Sequence, residues 1–182
     1  KTSFKDVEQR YRMRYVDLVA NPEVSNVFRA RAIIVRALRE FLDGQGFIEV
    51  DTPSMHTLVG GAAAKPFVTH HNTLDMRLFM RIAPELYLKR MLVGGWNKVY
   101  ELSRNFRNEG ISTRHNPEFT MLEVYEAFAD YRRMMDITEK MVCSLAESLL
   151  GKLKLEYDGN VIDLTPPWER ITFEEALRRY AG

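Results

Sequence analysis

An α+β fold, an antiparallel β-sheet flanked by helices, is what the sequence predicts, on three observations. Two long stretches repeat their apolar residues at helical spacing: Val24, Val27, Phe28, Ile34, Val35, Leu38, Phe41 and Leu42, and again Ile137, Met141, Leu145 and Leu149. Residues 98–107 and 119–125 alternate apolar with polar side chains, as half-buried strands do. The polar stretch between them, 108–118, is short enough to fold them back on one another as an antiparallel pair.

The remaining elements follow in chain order. The first 20 residues, in which Arg10, Tyr11, Arg12, Arg14 and Tyr15 crowd together, read as a linker-like lead-in. Asn21-Pro22 offers a helix cap and a proline at the first helical position, and the helix that follows ends at Gly44 or Gly46. Phe47-Ile48-Glu49-Val50 alternates as a strand, and Thr52-Pro53 stops it because proline cannot donate to a ladder. Strands are predicted at 67–70 and 78–82, with a turn at His71-Asn72 between them. Pro84 opens a short helix that turns Leu86, Leu88, Met91 and Leu92 inward and closes at Gly94-Gly95. After a long helix over 130–151, Asp158-Gly159 signals a hairpin, and Thr172 with Glu175 makes a capping box for a last helix. There is no repeat and no Gly/Ser linker, so residues 21–182 are expected to form part of one domain.

Composition narrows the function classes. The 182 residues are 46% hydrophobic and 28% charged, an ordinary globular mixture that excludes a disordered or fibrous chain. Lys and Arg number 26 against 25 Asp and Glu, so a net charge of +1 gives no bulk attraction to nucleic acid or an anionic membrane. No apolar run approaches the roughly 18 residues that span a bilayer, and no membrane partner is expected. A single cysteine, Cys143, allows neither an internal disulfide nor a Cys-based zinc site, which fits a cytoplasmic location. Gly60 to Lys65 is not a Walker loop, because the spacing is wrong and Pro66 stands where Ser or Thr is required. His70 and His71 are adjacent and point to opposite sides of a strand, so they are not expected to share a metal.

The informative stretch runs Phe106-Arg107-Asn108-Glu109-Gly110-Ile111-Ser112-Thr113-Arg114-His115-Asn116-Pro117-Glu118-Phe119. Arg107 and Glu109 are two apart on the predicted strand, so both side chains leave one face, and Phe119 and Glu123 return along the partner strand. Guanidinium, imidazole, carboxylates and an aromatic ring thus gather together. Phosphates take the forked donors of arginine, a purine takes a stacking ring, and an ammonium takes carboxylates. The plain alternative is a salt-bridged surface hairpin.

The order and spacing of these residues with the rest of the chain resemble the class II aminoacyl-tRNA synthetases, most closely the bacterial-type lysyl-tRNA synthetase family. Gly46-Phe47-Ile48-Glu49-Val50-Asp51-Thr52-Pro53 resembles that class's first signature, and the stretch from Phe106 to Phe119 its second. The likeness continues through Gly60-Gly61-Ala62-Ala63-Ala64-Lys65-Pro66-Phe67, Arg81-Ile82-Ala83-Pro84-Glu85-Leu86-Tyr87-Leu88-Lys89 and Arg114 to Glu123, covering essentially the whole chain.

The resemblance implies ATP-dependent activation of lysine to lysyl-adenylate and transfer to tRNA(Lys), by a homodimer. It implies that Arg107 and Glu109 are catalytic, Arg107 contacting the α-phosphate and the amino-acid carboxylate while Glu109 fixes the loop and nucleotide. Arg114 and His115 would hold the terminal phosphates, backbone at Asn116 the adenine edge, and Phe119 the adenine ring. Gly61, Ala62, Glu85, Arg107, Glu123 and Tyr125 would receive the amino acid, and Phe47 and Pro53 would lie at the dimer interface. Glu85 beside Pro84 is equally a helix-opening carboxylate favoured by the helix dipole, and both roles can hold. Mg²⁺ would bridge phosphate oxygens, its ligands expected beyond Gly182. Neither the family's glycine-rich third signature nor its anticodon-binding OB-fold is found in these residues. The chain therefore reads as the first part of a catalytic domain cut from something longer, inactive in isolation. Three other readings compete: a synthetase-like ligase that attaches lysine to elongation factor P, a sibling enzyme for aspartate or asparagine, and a non-catalytic dimerising paralogue.

Overall fold

A computed structural model describes residues 4–112 and 114–181, so Lys1, Thr2, Ser3, Thr113 of the second signature and Gly182 lie outside the described residues. The chain divides into two compact units, one from residues up to Phe41 together with Tyr131 onward, the other Leu42–Asp130. The architecture is mixed, with antiparallel strand pairs and helices, as the sequence predicts.

The lead-in is helical. α1 (Val7–Arg12) and α2 (Arg14–Ala20) meet at Met13, and the carboxylate of fully buried Asp17 takes Arg10 Nε at 2.7 Å and also pairs with Arg14. Burial pushes the Asp17 carboxyl up, but hydrogen bonds from Asn21 and Arg10 and the charges of Arg10 and Arg14 more than reverse this, leaving it below its ordinary value. Two of the lead-in's arginines are therefore spent internally. Asn21 serves here too: its side-chain amide donates to Asp17 and to the Phe4 carbonyl, so it closes α2 instead of capping the next helix. α3 (Val24–Gly44) starts after a turn in which Val24 and Ser25 donate to the carbonyls of Asn21 and Pro22.

In the same unit α5 (Tyr131–Leu150) buries Ile137, Cys143 and Ala146, and the Cys143 thiol donates to the Leu164 carbonyl at 3.2 Å, the behaviour of a small packing residue. Strands β7 (Lys154–Tyr157) and β8 (Asn160–Asp163) form the expected hairpin, with Asp158 at φ 49° and Gly159 at φ 76° in its turn, the left-handed pair that a two-residue hairpin demands. Thr172 accepts from the Glu175 amide at 3.2 Å and opens α6 (Phe173–Tyr180), as the capping box predicts.

The second unit holds two three-stranded sheets. β1 (Ile48–Glu49) pairs in parallel with β5 (Lys98–Phe106), and β5 pairs antiparallel with β6 (Glu118–Glu126) over its whole length. β2 (Met55–His56), β4 (Met76–Met80) and β3 (Val68–His71) make the other, in that order. The short β2 and the parallel β1–β5 pairing are not predicted, since two-residue strands carry no periodicity. α4 (Glu85–Val93) follows Pro84 as expected, and Leu88 is fully buried, but Leu86 is 42% exposed and does not pack inward. Leu42, Phe47, Ile82, Val99 and Tyr100 form the buried centre of this unit. No described helix is long and apolar enough to cross a membrane.

Candidate active site

The site lies on one face of the β5–β6 pair. In the observed register Asn105 faces Phe119, Ser103 faces Met121, Glu101 faces Glu123 and Val99 faces Tyr125. Directly opposed residues share a face, so Phe119, Glu123 and Tyr125 stand in a row beside Asn105 and Glu101. β5 ends one residue before Arg107: the Arg107 amide still donates to the Pro117 carbonyl at 2.8 Å, but Asn108 turns away to the Lys65 carbonyl at 2.7 Å. The expectation that Arg107 and Glu109 share a strand is thus corrected, because the ladder has already broken before Glu109.

They nevertheless line the same concavity. A cavity of about 280 Å³ is walled by Arg107, Glu109, Gly110, Arg114, His115, Asn116, Pro117 and Phe119. The Arg107 guanidinium lies over the Phe119 ring, 5.1 Å from its centroid. Glu109 accepts from the Lys65 amide at 3.2 Å, which ties the Gly60–Lys65 segment to the signature loop. Ser112 and His115 form a bridge, with Ser112 Oγ 2.8 Å from His115 Nδ1; Arg114 and Asn116 are exposed beside it. Arg107, Arg114, His115, Asn116 and Phe119, the residues expected to meet a nucleotide, all line this cavity.

Further along the face the electrostatics turn negative. Glu123 is raised above the ordinary carboxylate range, first by burial and then by the charges of Glu85 and Glu101, against the Tyr125 hydrogen bond and the Arg107 charge, which lower it. The Tyr125 hydroxyl donates to Glu123 Oε2 at 2.9 Å, and burial and that bond push its own proton affinity up. Glu85 opens α4, and its Oε1 accepts from Lys89 Nζ at 2.6 Å, so the helix-opening carboxylate also faces the site's charge. Gly61, at φ 89°, leaves no room for a side chain: a Cβ would sit 3.0 Å from Glu85 Cβ and 3.1 Å from Ala83 Cβ. Its backbone, with half-buried Ala62 next to it, approaches the carboxylate wall closely. Phe47 is 3% exposed and Pro53 is exposed, so of the two only Pro53 offers its side chain to a partner.

Two groups escape the sequence reading. Ser103 Oγ, both amide atoms of Asn105 and Arg107 Nε are buried on this face without a hydrogen-bond partner among the described residues, which leaves unspent polar capacity under the site. Arg81 and Glu101 form a buried pair at 2.6 Å, joined by Thr52. Glu101 alternates in step with Val99 and Ser103, so the pattern carried it, but its partner is distant in sequence. Elsewhere, His70 pairs with Asp75 at 3.1 Å and His71 accepts from the Leu74 amide. A larger concavity of about 490 Å³ lies in the other unit at Tyr131, Met135 and Arg170; of its two arginines, Arg170 pairs with Asp136 and Glu139, and Arg132 donates to the Tyr131 hydroxyl. Among the described residues no group of three or more His, Cys, Asp or Glu is arranged to hold a metal ion, so the Mg²⁺ expectation finds no ligand set there.

The described residues thus bring together an aromatic ring, an arginine lying over it and a row that includes Glu123 along one antiparallel strand pair. The family profile described as tRNA synthetases class II (D, K and N) matches residues 6–182, and the chain belongs to that family. Among curated proteins it is 63% identical over 178 residues to the lysine-tRNA ligase of Pelotomaculum thermopropionicum, an alignment covering 98% of this chain and 35% of that protein. It is 62% identical to the enzyme of the same name from Carboxydothermus hydrogenoformans and 61% to that from Moorella thermoacetica, over 97% and 98% of this chain and 36% of each relative. The chain thus spans about a third of the length of the relatives it matches.

Proposed function

We propose that the protein to which this chain belongs is a lysine-tRNA ligase, activating lysine with ATP and passing it to tRNA(Lys). The observation that carries this reading is the arrangement of Arg107 and Phe119 around one cavity, with Glu85 and Glu123 farther along the same sheet region. The names of the relatives support it, and they favour it over the protein-lysine ligase, the aspartate or asparagine enzyme and the non-catalytic paralogue.

In this reading adenine takes the Phe119 face, and the triphosphate draws the Arg107 guanidinium toward the α-phosphate. A lysine carboxylate oxygen bonds to the α-phosphorus while the bond to the α,β-bridging oxygen breaks, and pyrophosphate leaves with the electron pair. No proton moves and no protein nucleophile is needed; Arg107 lowers the barrier by neutralising charge where both oxygens meet, and alignment does the rest. Arg114 and His115 hold the outer phosphates, Asn116 backbone meets the adenine edge, and Glu109 keeps the loop in place through Lys65. Glu85 and Glu123 receive the amines, Tyr125 orients Glu123, and the backbone of Gly61 and Ala62 closes the wall. In the second step a ribose hydroxyl oxygen of the tRNA bonds to the adenylate carbonyl carbon, the bond from that carbon to the phosphate oxygen breaks, and AMP leaves with the electron pair while the hydroxyl proton passes to a phosphate oxygen. Mg²⁺, when bound, would screen the charge of the phosphate oxygens.

Residues 1–20 serve as a linker and residues 21–182 as the leading part of the catalytic domain. The protein works as a homodimer in the cytoplasm, with exposed Pro53 at the two-fold interface and buried Phe47 bracing the strand behind it; sedimentation at micromolar concentration is expected to give a dimer, and a monomer would contradict this. The reaction is tested by ATP–pyrophosphate exchange with the full-length protein. Exchange is expected with lysine and not with aspartate or asparagine. Exchange driven by either of those, or by no amino acid, would overturn the reading.

A further inference from the structure

We infer that Glu101 is a positioning residue for the amine-binding carboxylates, held in place by Arg81 and Thr52 and acting on Glu123 across the strand pair. The inference deepens the reading above and rests on it. Glu101 is 2% exposed and Arg81 4%, and Arg81 Nη1 reaches Glu101 Oε1 at 2.6 Å. Thr52 Oγ1 donates to Glu101 Oε2 at 2.7 Å, and Arg81 Nη1 also donates to the Thr52 carbonyl at 3.0 Å. Both carboxylate oxygens are therefore engaged, which fixes the side chain.

Arg81 also joins the two elements that carry the amine-binding acids. Its Nε donates to the Arg104 carbonyl at 2.8 Å, and its own carbonyl accepts from the Phe106 amide at 2.9 Å, so it is bolted to the edge of β5. Four residues on, through buried Ile82, Ala83 and Pro84, comes Glu85. Across β5, Glu101 stands in register with Glu123, where opposed Cβ atoms lie about 5 Å apart. One guanidinium thus sets the spacing between the Glu85 wall and the Glu123 wall.

A purely structural role does not explain the choice of residues. A buried ion pair adds little net stability over well-packed apolar side chains, and two acids opposed in a ladder repel. The pair's position makes chemical sense instead. Arg81 satisfies Glu101, and what remains of the Glu101 charge is felt by Glu123, the acid left for an incoming ammonium. The groups facing Glu123 are Glu85 from α4, Glu101 from β5, Tyr125 from β6 and Arg107 beyond β5; of the acids among them, Glu101 is the one with no access to solvent. An excess of fixed negative charge in a half-buried site selects a ligand with two cationic groups over a neutral or acidic amino acid.

The test uses the full-length protein and reads lysine-dependent exchange against pH. Glu101→Gln is expected to raise the lysine KM about tenfold while kcat and the ATP KM stay within about twofold. The acid limb of kcat/KM for lysine should move to lower pH, because without the Glu101 charge Glu123 ionises more readily. Glu101→Asp, which keeps the charge, should return the limb to its wild-type position. If Glu101→Gln does not fold, Thr52→Val, which keeps the ion pair and removes one anchor of Glu101, should still raise the lysine KM about threefold with the ATP KM unchanged. A wild-type protein without lysine-dependent exchange would overturn the site reading and this inference with it. Normal wild-type exchange with an unmoved acid limb in Glu101→Gln, or lysine and ATP parameters that fall together in Thr52→Val, would overturn the positioning role alone.

Discussion

Arg107 is the residue on which the proposed chemistry turns, because it joins the cavity to the carboxylate row: its guanidinium rests on Phe119 and its charge is felt by Glu123. Replacing it by Ala should lower the single-turnover rate of adenylate formation by about 10²- to 10³-fold, the usual loss for a donor aimed at developing charge. Lysine at this position should recover little, since a point charge does not reproduce the forked donors that bridge two oxygens. Tyr125 makes a subtler case. Its hydroxyl lowers the proton affinity of Glu123, so Tyr125→Phe leaves that acid raised further. Lysine binding needs the ionised form and is lost as pH falls through the Glu123 value; the acid limb in the variant should therefore move to higher pH, opposite to the shift expected for Glu101→Gln. Isothermal titration with lysine, repeated as the pH is lowered, reads the sign directly.

Among the elements, the Gly60–Lys65 loop and the start of α4 are mutually dependent, since a Cβ on Gly61 would sit 3.0 Å from Glu85 Cβ. Gly61→Val should cost about 1–3 kcal/mol from the left-handed backbone alone and displace Glu85, so a raised lysine KM should accompany the lower melting temperature. In the lead-in, Asp17 has a folded-state proton affinity below its unfolded one. It therefore stabilises the fold above its ordinary pKa and loses that contribution as pH falls through the lowered value. Asp17→Asn should reduce the melting temperature by several degrees at neutral pH, with the gap to wild type closing in acid. These elements also mark what the sequence makes legible. Periodicity and turn chemistry suffice for α3, α5, the β5–β6 pair, the Asp158-Gly159 hairpin and the Thr172 cap, because each is decided by neighbours along the chain. The parallel β1–β5 pairing, β2 and the Arg81–Glu101–Thr52 network depend on partners far away in sequence, which local patterns do not encode, while Asn21 is claimed by Asp17 four residues back, against the helix-cap signal of Asn21-Pro22. For the site, the residue types and their grouping are legible from the signature loop; the early end of β5, which detaches Glu109 from the strand, is not, because it follows from the Asn108 bond to Lys65.

At the scale of the molecule, the whole candidate site falls within the unit Leu42–Asp130, while in the other unit Arg170 pairs with Asp136 and Glu139. In the proposed reading nucleotide and amino acid are met within this unit, the loop after β5 supplying the phosphate end, β6 supplying Glu123 and α4 supplying Glu85. Because these 182 residues correspond to about a third of the length of their curated relatives, the decisive observation belongs to the full-length protein. That observation is a crystal structure with a non-hydrolysable lysyl-adenylate analogue. The purine should stack on Phe119, the phosphate mimic should meet Arg107, and the lysine amines should lie against Glu85 and Glu123. An analogue bound away from the Arg107–Phe119 cavity, or one whose amines avoid both acids, would contradict the assignment.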